Sequence, residues 1–141
     1  MKEIAMTERK VRVLLIEDDR DDAEIIRLYL AEPDEMGMKF EVERADRLAQ
    51  GLRLLKARAF DIILLDLILS DNYGIDTAAR ALAGARGIPL LVMTGFDDES
   101  AALDATRLGA QDYLVKSSLD SGLLKSAIRR ILERSRLQTV W

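Results

Sequence analysis

The stretch Phe60-Asp61-Ile62-Ile63-Leu64-Leu65-Asp66 decides the fold, because Phe60 to Leu65 is a short, mostly apolar run that ends on a carboxylate. A run of this length without polar alternation reads as a strand buried on both faces of a parallel sheet. Toward the N-terminus, Val11 to Ile16 repeats the pattern, broken only by Arg12, and is followed by Glu17, Asp18 and Asp19. Toward the C-terminus, Ile88 to Met93 is a third such run, with Thr94 and Gly95 after it. Its Pro89 stands near the start, where a missing amide donor is tolerated. Met38, Phe40 and Val42 alternate with Lys39, Glu41 and Glu43, as in an edge strand with one wetter face. Tyr113 to Val115 is a short last strand, followed by Lys116.

Helical patterns fill the intervals. Ala23, Ile26 and Leu30, widened by Ile25, Leu28 and Tyr29, recur at helical spacing until Pro33. Asp46 is placed to cap a helix with the stripe Leu48, Leu52 and Leu55. Ile75 to Ala85 is an alanine-rich helix that Gly84 or Gly87 can close. Asp97 and Asp98 suit the start of a helix to Leu108, which Gly109 ends in a left-handed conformation. From Asp120, Leu124, Ile128 and Ile131, with Leu123, Ala127 and Leu132, make a last helix reaching about Leu137. Five strand-helix units imply an α/β fold: a parallel sheet, right-handed crossovers and helices on both faces.

The 141 residues, 49% hydrophobic and 33% charged, suit one globular domain. The expected organisation is a flexible N-terminal extension at 1–10, one domain at 11–138 and a tail at 139–141. With 21 basic and 25 acidic residues the net charge is −4, which argues against a nucleic-acid partner. The absence of cysteine and histidine excludes disulfides, thiolate metal sites and an imidazole base. Met1 to Lys10 lacks the apolar core of a signal peptide, and no apolar run approaches the ~20 residues of a membrane span. A cytoplasmic protein without membrane contact is expected.

The chemistry-bearing side chains all follow strands: Glu17 and Asp18, then Asp66, Thr94 and Lys116. With strand order 2-1-3-4-5 the first, third, fourth and fifth strands are neighbours about 4.8 Å apart, and these ends converge. Carboxylates forced together call for a hard divalent cation, and an oxygen-only ligand set fits Mg²⁺. A carboxylate can then attack phosphorus, with Lys116 as a mobile charge, Thr94 as a hydroxyl donor and Gly95 leaving room for the phosphoryl group. Each residue alone has a plainer reading: Asp66 as a turn cap, Thr94 as a capping hydroxyl, Lys116 as a solvated cation. Asp19 reads equally as a solvated residue or a cap and is left out of the site.

Four segments resemble the receiver domains of two-component response regulators: Leu14-Leu15-Ile16-Glu17-Asp18-Asp19, Asp61 to Leu67, Val92-Met93-Thr94-Gly95 and Gly109 to Lys116. The resemblance runs from about Val11 to Leu137. It implies a flavodoxin-like five-stranded sheet, order 2-1-3-4-5, with five helices. It also implies phosphoryl transfer from a sensor histidine kinase or histidine phosphotransfer protein to Asp66, the domain catalysing only its own phosphorylation and dephosphorylation. Asp18, Asp66 and the backbone carbonyl of Ile68 would hold Mg²⁺, or Mn²⁺ in its place, with Glu17 assisting indirectly. Thr94, Gly95 and Lys116 would bind the phosphoryl group, and Thr94 with Tyr113 would form the switch. The output would be a contact with a downstream protein, or a homodimer, through the fourth and fifth strand-helix units, with no output segment after the last helix.

Two positions depart from that pattern. Relatives commonly carry proline four residues after the aspartate and directly after the lysine, where this chain has Ser70 and Ser117. The lysine-proline bond is often cis, and a cis bond before Ser117 would cost about 2.5–4 kcal/mol instead of about 1. Lys116 is expected to reach the pocket by a cis bond or a rearranged loop. Lys125, Arg129, Arg130, Arg134 and Arg136 read as a solvated helix face, and Trp141 as uninformative about ligands. Two other functions compete: a receiver-like interaction module independent of phosphorylation, and a Mg²⁺-dependent aspartyl-phosphate phosphatase. The latter typically needs an aspartate two residues after the nucleophile, where Ile68 stands.

Overall fold

The computed structural model describes the backbone of residues 9–95 and 98–140 and side chains through residue 135. The readings on Asp97, the Arg136 side chain, Trp141 and residues 1–8 of the N-terminal extension lie outside the described residues. In chain order the elements are β1 (Lys10–Ile16), α1 (Arg20–Tyr29), β2 (Lys39–Ala45), α2 (Leu48–Ala57), β3 (Ile62–Asp66), α3 (Ile75–Ala85), β4 (Leu90–Thr94), α4 (Glu99–Leu108), β5 (Asp112–Val115) and α5 (Ser121–Val140). The strands pair in parallel in the order β2-β1-β3-β4-β5, the flavodoxin-like arrangement. No helix among the described residues is long and apolar enough to cross a membrane.

Every residue of β3 and β4 is buried, and strand alternation sorts their side chains between two cores. Leu14, Ile16, Ile63, Leu65 and Val92 pack with α2, α3 and α4. Val13, Leu15, Ile62, Leu64, Leu91 and Met93 pack with α1 and α5. Each such side chain contributes roughly 1.5–3 kcal/mol of transfer free energy, so the strand ends that carry the polar residues are held on a rigid support.

The structure narrows several stripes. Ile25 and Leu28 on α1 are 45% and 66% exposed, and Leu123 on α5 is exposed too, so none of them widens its helix's buried face. The strand expected from Phe60 starts at Ile62. Asp61 instead brackets β1, accepting from the Arg12 amide at 2.8 Å and donating its own amide to the Arg12 carbonyl. Asp46 does not cap α2. The capping position is Arg47, which makes no side-chain bond.

Glycines serve packing as well as turns. Gly84 lies inside α3, and it is Arg86, at φ 53°, that takes the left-handed position, with Gly87 at φ 89° after it. A Cβ on Gly84 would stand 2.6 Å from Leu52 Cδ2, so its hydrogen side chain brings α3 close to α2. Gly109, at φ 135°, does end α4 as expected. The basic face of α5 is not wholly solvated, because Arg129 pairs with the buried carboxylate of Asp34 at 2.7 Å.

Candidate functional site

At the carboxyl edge of the sheet, oxygens of Glu17, Asp18 and Asp66 all lie within 4.8 Å of one another. Asp66 is the last residue of β3, and Glu17 and Asp18 begin the loop after β1. That loop is fastened from the edge strand: Arg44 Nε donates to the Glu17 carbonyl at 2.9 Å, and its Nη2 to the Asp18 carbonyl at 3.0 Å. Asp19 accepts from the Asp22 amide at 3.0 Å and is the N-cap of α1.

Lys116 enters this acidic pocket. Its Nζ lies 2.6 Å from Glu17 Oε1, 2.8 Å from Asp22 Oδ2 and 3.0 Å from Asp66 Oδ2. The Glu17 contact lies off the axis of a directed hydrogen bond, which leaves Oε1 without a hydrogen-bond partner. All described peptide bonds are trans, so the lysine arrives by loop geometry. A 3₁₀ turn at Lys116–Ser118 follows, and the Tyr29 hydroxyl on α1 donates to the Leu119 carbonyl at 3.2 Å.

Burial, reinforced by neighbouring Asp66, pushes the Glu17 carboxyl up to about 8. For Lys116, burial alone would lower the pKa. Its contacts with Asp22 and Glu17 and the charge of Asp66 outweigh that and raise it, so the ammonium stays charged.

Asp66 Oδ1 accepts from the Ile68 amide at 3.0 Å, which leaves Oδ2 to Lys116. Thr94 is fully buried, but its hydroxyl donates to the Gly95 carbonyl at 3.2 Å rather than to a site carboxylate. Among the described residues, the nearest atom to a Cβ on Gly95 would be Asp98 Oδ2 at 3.7 Å, an ordinary contact distance. Tyr113 packs part of its ring on the α2–α4 side of the sheet, and its hydroxyl donates to Glu99 Oε2 at 3.0 Å near the surface. That bond and the charge of Glu99 raise the phenol's pKa.

The structure thus gathers Glu17, Asp18, Asp66 and Lys116, keeps Thr94 and Gly95 on the same edge, and holds Tyr113 facing Glu99. Sequence reasoning missed two participants. Asp22 is one more acid in the run from Asp18. Arg44, next to the last residue of an edge strand, has no pattern to mark it. An oxygen-only set of three clustered carboxylates fits a hard divalent cation such as Mg²⁺, with Lys116 adding a positive charge.

A sequence model of the response regulator receiver domain matches residues 13–129. Transcriptional regulatory protein ZraR of Escherichia coli O157:H7 is 29% identical over 132 residues, 94% of this chain and 29% of the relative. Methanogenesis regulatory protein FilR1 of Methanothrix harundinacea (strain 6Ac) is 34% identical over 110 residues, 75% of this chain and 24% of the relative. Transcriptional regulatory protein CusR of Escherichia coli (strain K12) is 30% identical over 88% of this chain and 52% of its own length. The chain therefore spans between about a quarter and a half of these curated relatives.

Among solved structures, a response regulator receiver domain protein from Clostridium thermocellum aligns with TM-score 0.78 at 23% identity, over 91% of this chain and 98% of that one. The receiver domain of NtrX from Brucella abortus aligns with TM-score 0.74 at 21% identity, over 86% and 98%. At these identities the likeness shows the fold alone. Since the family's sequence pattern covers most of the chain, and covers the same strands that carry the acidic pocket, this chain belongs to the response regulator receiver domain family.

Proposed function

We propose that Asp66 accepts a phosphoryl group from the phosphohistidine of a sensor histidine kinase or histidine phosphotransfer protein, and that the modification switches a surface read by a downstream protein in the cytoplasm. The observation that carries this reading is the Lys116 ammonium 3.0 Å from Asp66 in a pocket of three clustered carboxylates. In the transfer, an Asp66 oxygen forms its bond to phosphorus as the phosphorus–nitrogen bond breaks, and the imidazole nitrogen keeps the electron pair.

Asp66 is oriented for this by the Ile68 amide on one oxygen and Lys116 on the other. A Mg²⁺ or Mn²⁺ ion held by Asp18, Asp66 and the Ile68 carbonyl, with Glu17 assisting, would supply positive charge to the transferring oxygens. Lys116 takes one phosphoryl oxygen and the Thr94 hydroxyl another, which requires Thr94 to release the Gly95 carbonyl. Gly95 leaves the group room to approach. The product adds about −2 charge, a local change able to bias the Thr94 and Tyr113 positions.

The test is exposure to acetyl phosphate and Mg²⁺ with intact-mass detection. Wild type gains one phosphoryl group and Asp66→Asn gains none. Uptake by the variant at the wild-type rate, or repeated turnover of an ordinary phosphate ester, overturns the assignment.

A further inference from the structure

Helix α2 begins without a cap of its own, because Arg47 at the capping position makes no side-chain bond. The first amides of a helix lack intrahelical partners and need some other acceptor. Here Leu48 donates to Asp71 Oδ1 at 3.0 Å and Ala49 to Asp71 Oδ2 at 3.1 Å. Asp71 comes from a different part of the chain, the loop between Asp66 and α3. Burial would raise the Asp71 pKa, but these amides, together with its own amide and the charge of Arg47, outweigh it and lower the pKa, so the cap is a carboxylate at the positive end of the helix.

The loop that carries Asp71 is a closed ladder. Gly74 donates to the Leu67 carbonyl at 2.7 Å, Ile68 bridges to Tyr73, and Leu69 donates to the Asn72 carbonyl at 2.8 Å. At its base Asn72 Nδ2 donates to Thr77 Oγ1, which donates to the Leu67 carbonyl. Buried Leu67 and Leu69 seat the near arm, whereas the Ile68 side chain is 44% exposed and anchors nothing. Ser70 and Asp71 form the tip, and the two bonds from Asp71 are what dock that tip on α2.

We infer that Asp71 is a positioning residue for the cation site: by docking the loop on α2 it fixes the Leu67–Leu69 backbone, and with it the direction of the Ile68 carbonyl beside Asp66. This rests on the reading of Glu17, Asp18, Asp66 and the Ile68 carbonyl as the Mg²⁺ ligands. The peptide plane after Ile68 carries the Leu69 amide, whose acceptor is the Asn72 carbonyl next to Asp71. Freeing the tip loosens that hydrogen bond, lets the plane tilt and weakens a ligand that is not itself altered, the usual effect of losing a supporting contact around a metal.

The experiment is MgCl₂ titration of the whole chain by isothermal calorimetry, with thermal melting in parallel. Asp71→Ala is expected to weaken Mg²⁺ binding by about tenfold, the low end of such losses. Asp71→Asn, which keeps one acceptor oxygen, is expected to fall between the two. Arg53→Gly, which destabilises the same helix at an exposed position away from the loop, should lower the melting temperature and leave the affinity unchanged. Equal affinity in wild type and Asp71→Ala, or an equal loss in Arg53→Gly, overturns the inference. If Asp71→Ala does not fold, Asp71→Asn decides: weaker binding than wild type supports the role and equal binding overturns it. Failure of wild type to bind Mg²⁺ instead removes the ligand reading, and the role of Asp71 with it.

Discussion

Lys116 Nζ lies 2.8 Å from Asp22 Oδ2, so the lysine that follows β5 is held by α1 as well as by the pocket carboxylates. Asp22 is partly exposed, which limits the pair to roughly 1 kcal/mol. Asp22→Ala should therefore slow phosphorylation by acetyl phosphate by about fivefold, with Asp22→Asn closer to wild type. Stopped-flow kinetics at saturating Mg²⁺ would measure it, and unchanged rates in both variants would show that the α1 contact is incidental.

Glu17 should give the fold a pH dependence opposite to that of most carboxylates. Its folded pKa is raised from 4.5 to about 8, so between those values the folded chain keeps a proton that the unfolded chain has lost. Its contribution to stability is present below 4.5 and is lost as pH rises toward 8. Urea unfolding across this window with a chelator present should show that slope, and Glu17→Gln should flatten it. A wild-type slope shared by the Gln variant would exclude Glu17 as its source.

Asp34 joins the segment after α1 to α5, accepting Arg129 on one oxygen and the Met36 and Met38 amides on the other. Its pKa is lowered because those bonds outweigh burial, so its contribution is present above the ordinary 3.8 and is lost as pH falls below that value. Asp34→Ala should destabilise by about 3 kcal/mol, read as a shift in denaturant midpoint, because it strands a cation and two amides.

Gly51 in the middle of α2 lets the helix lie against β1. A Cβ there would stand 2.5 Å from Ile16 Cδ1 and 2.9 Å from Ile16 Cγ1. Gly51→Ala should lose about 1 kcal/mol net, since overpacking of roughly 2 kcal/mol exceeds the gain of about 1 in helix propensity. A chemical-denaturation midpoint at or above wild type would mean that Ile16 moves aside at little cost.

The strand runs and the acids that follow them were readable because both are local: apolar continuity marks a doubly covered strand, and the polar residue after it lies at the sheet edge. That logic places Asp66, Glu17, Asp18 and Lys116 at one sheet edge, where the structure brings them together. What escaped depends on partners distant in sequence. Asp71 caps a helix that starts 23 residues earlier, and no local pattern distinguishes it from an ordinary turn aspartate. Asp46 looked the better cap because it precedes α2, yet its amide instead donates to Gln50 Oε1. The exposed Ile25, Leu28 and Leu123 show the same limit, since helical periodicity gives spacing but not the width of the neighbouring surface.

The Tyr113–Glu99 bond has a thermodynamic corollary. It lies near the surface, where a hydrogen bond contributes roughly 1 kcal/mol, and 1 kcal/mol corresponds to a population ratio of about five. The hydroxyl end of the ring is thus only weakly fixed, and substituting Glu99 alone would release it while the packed part of the ring stays on the α2–α4 side of the sheet.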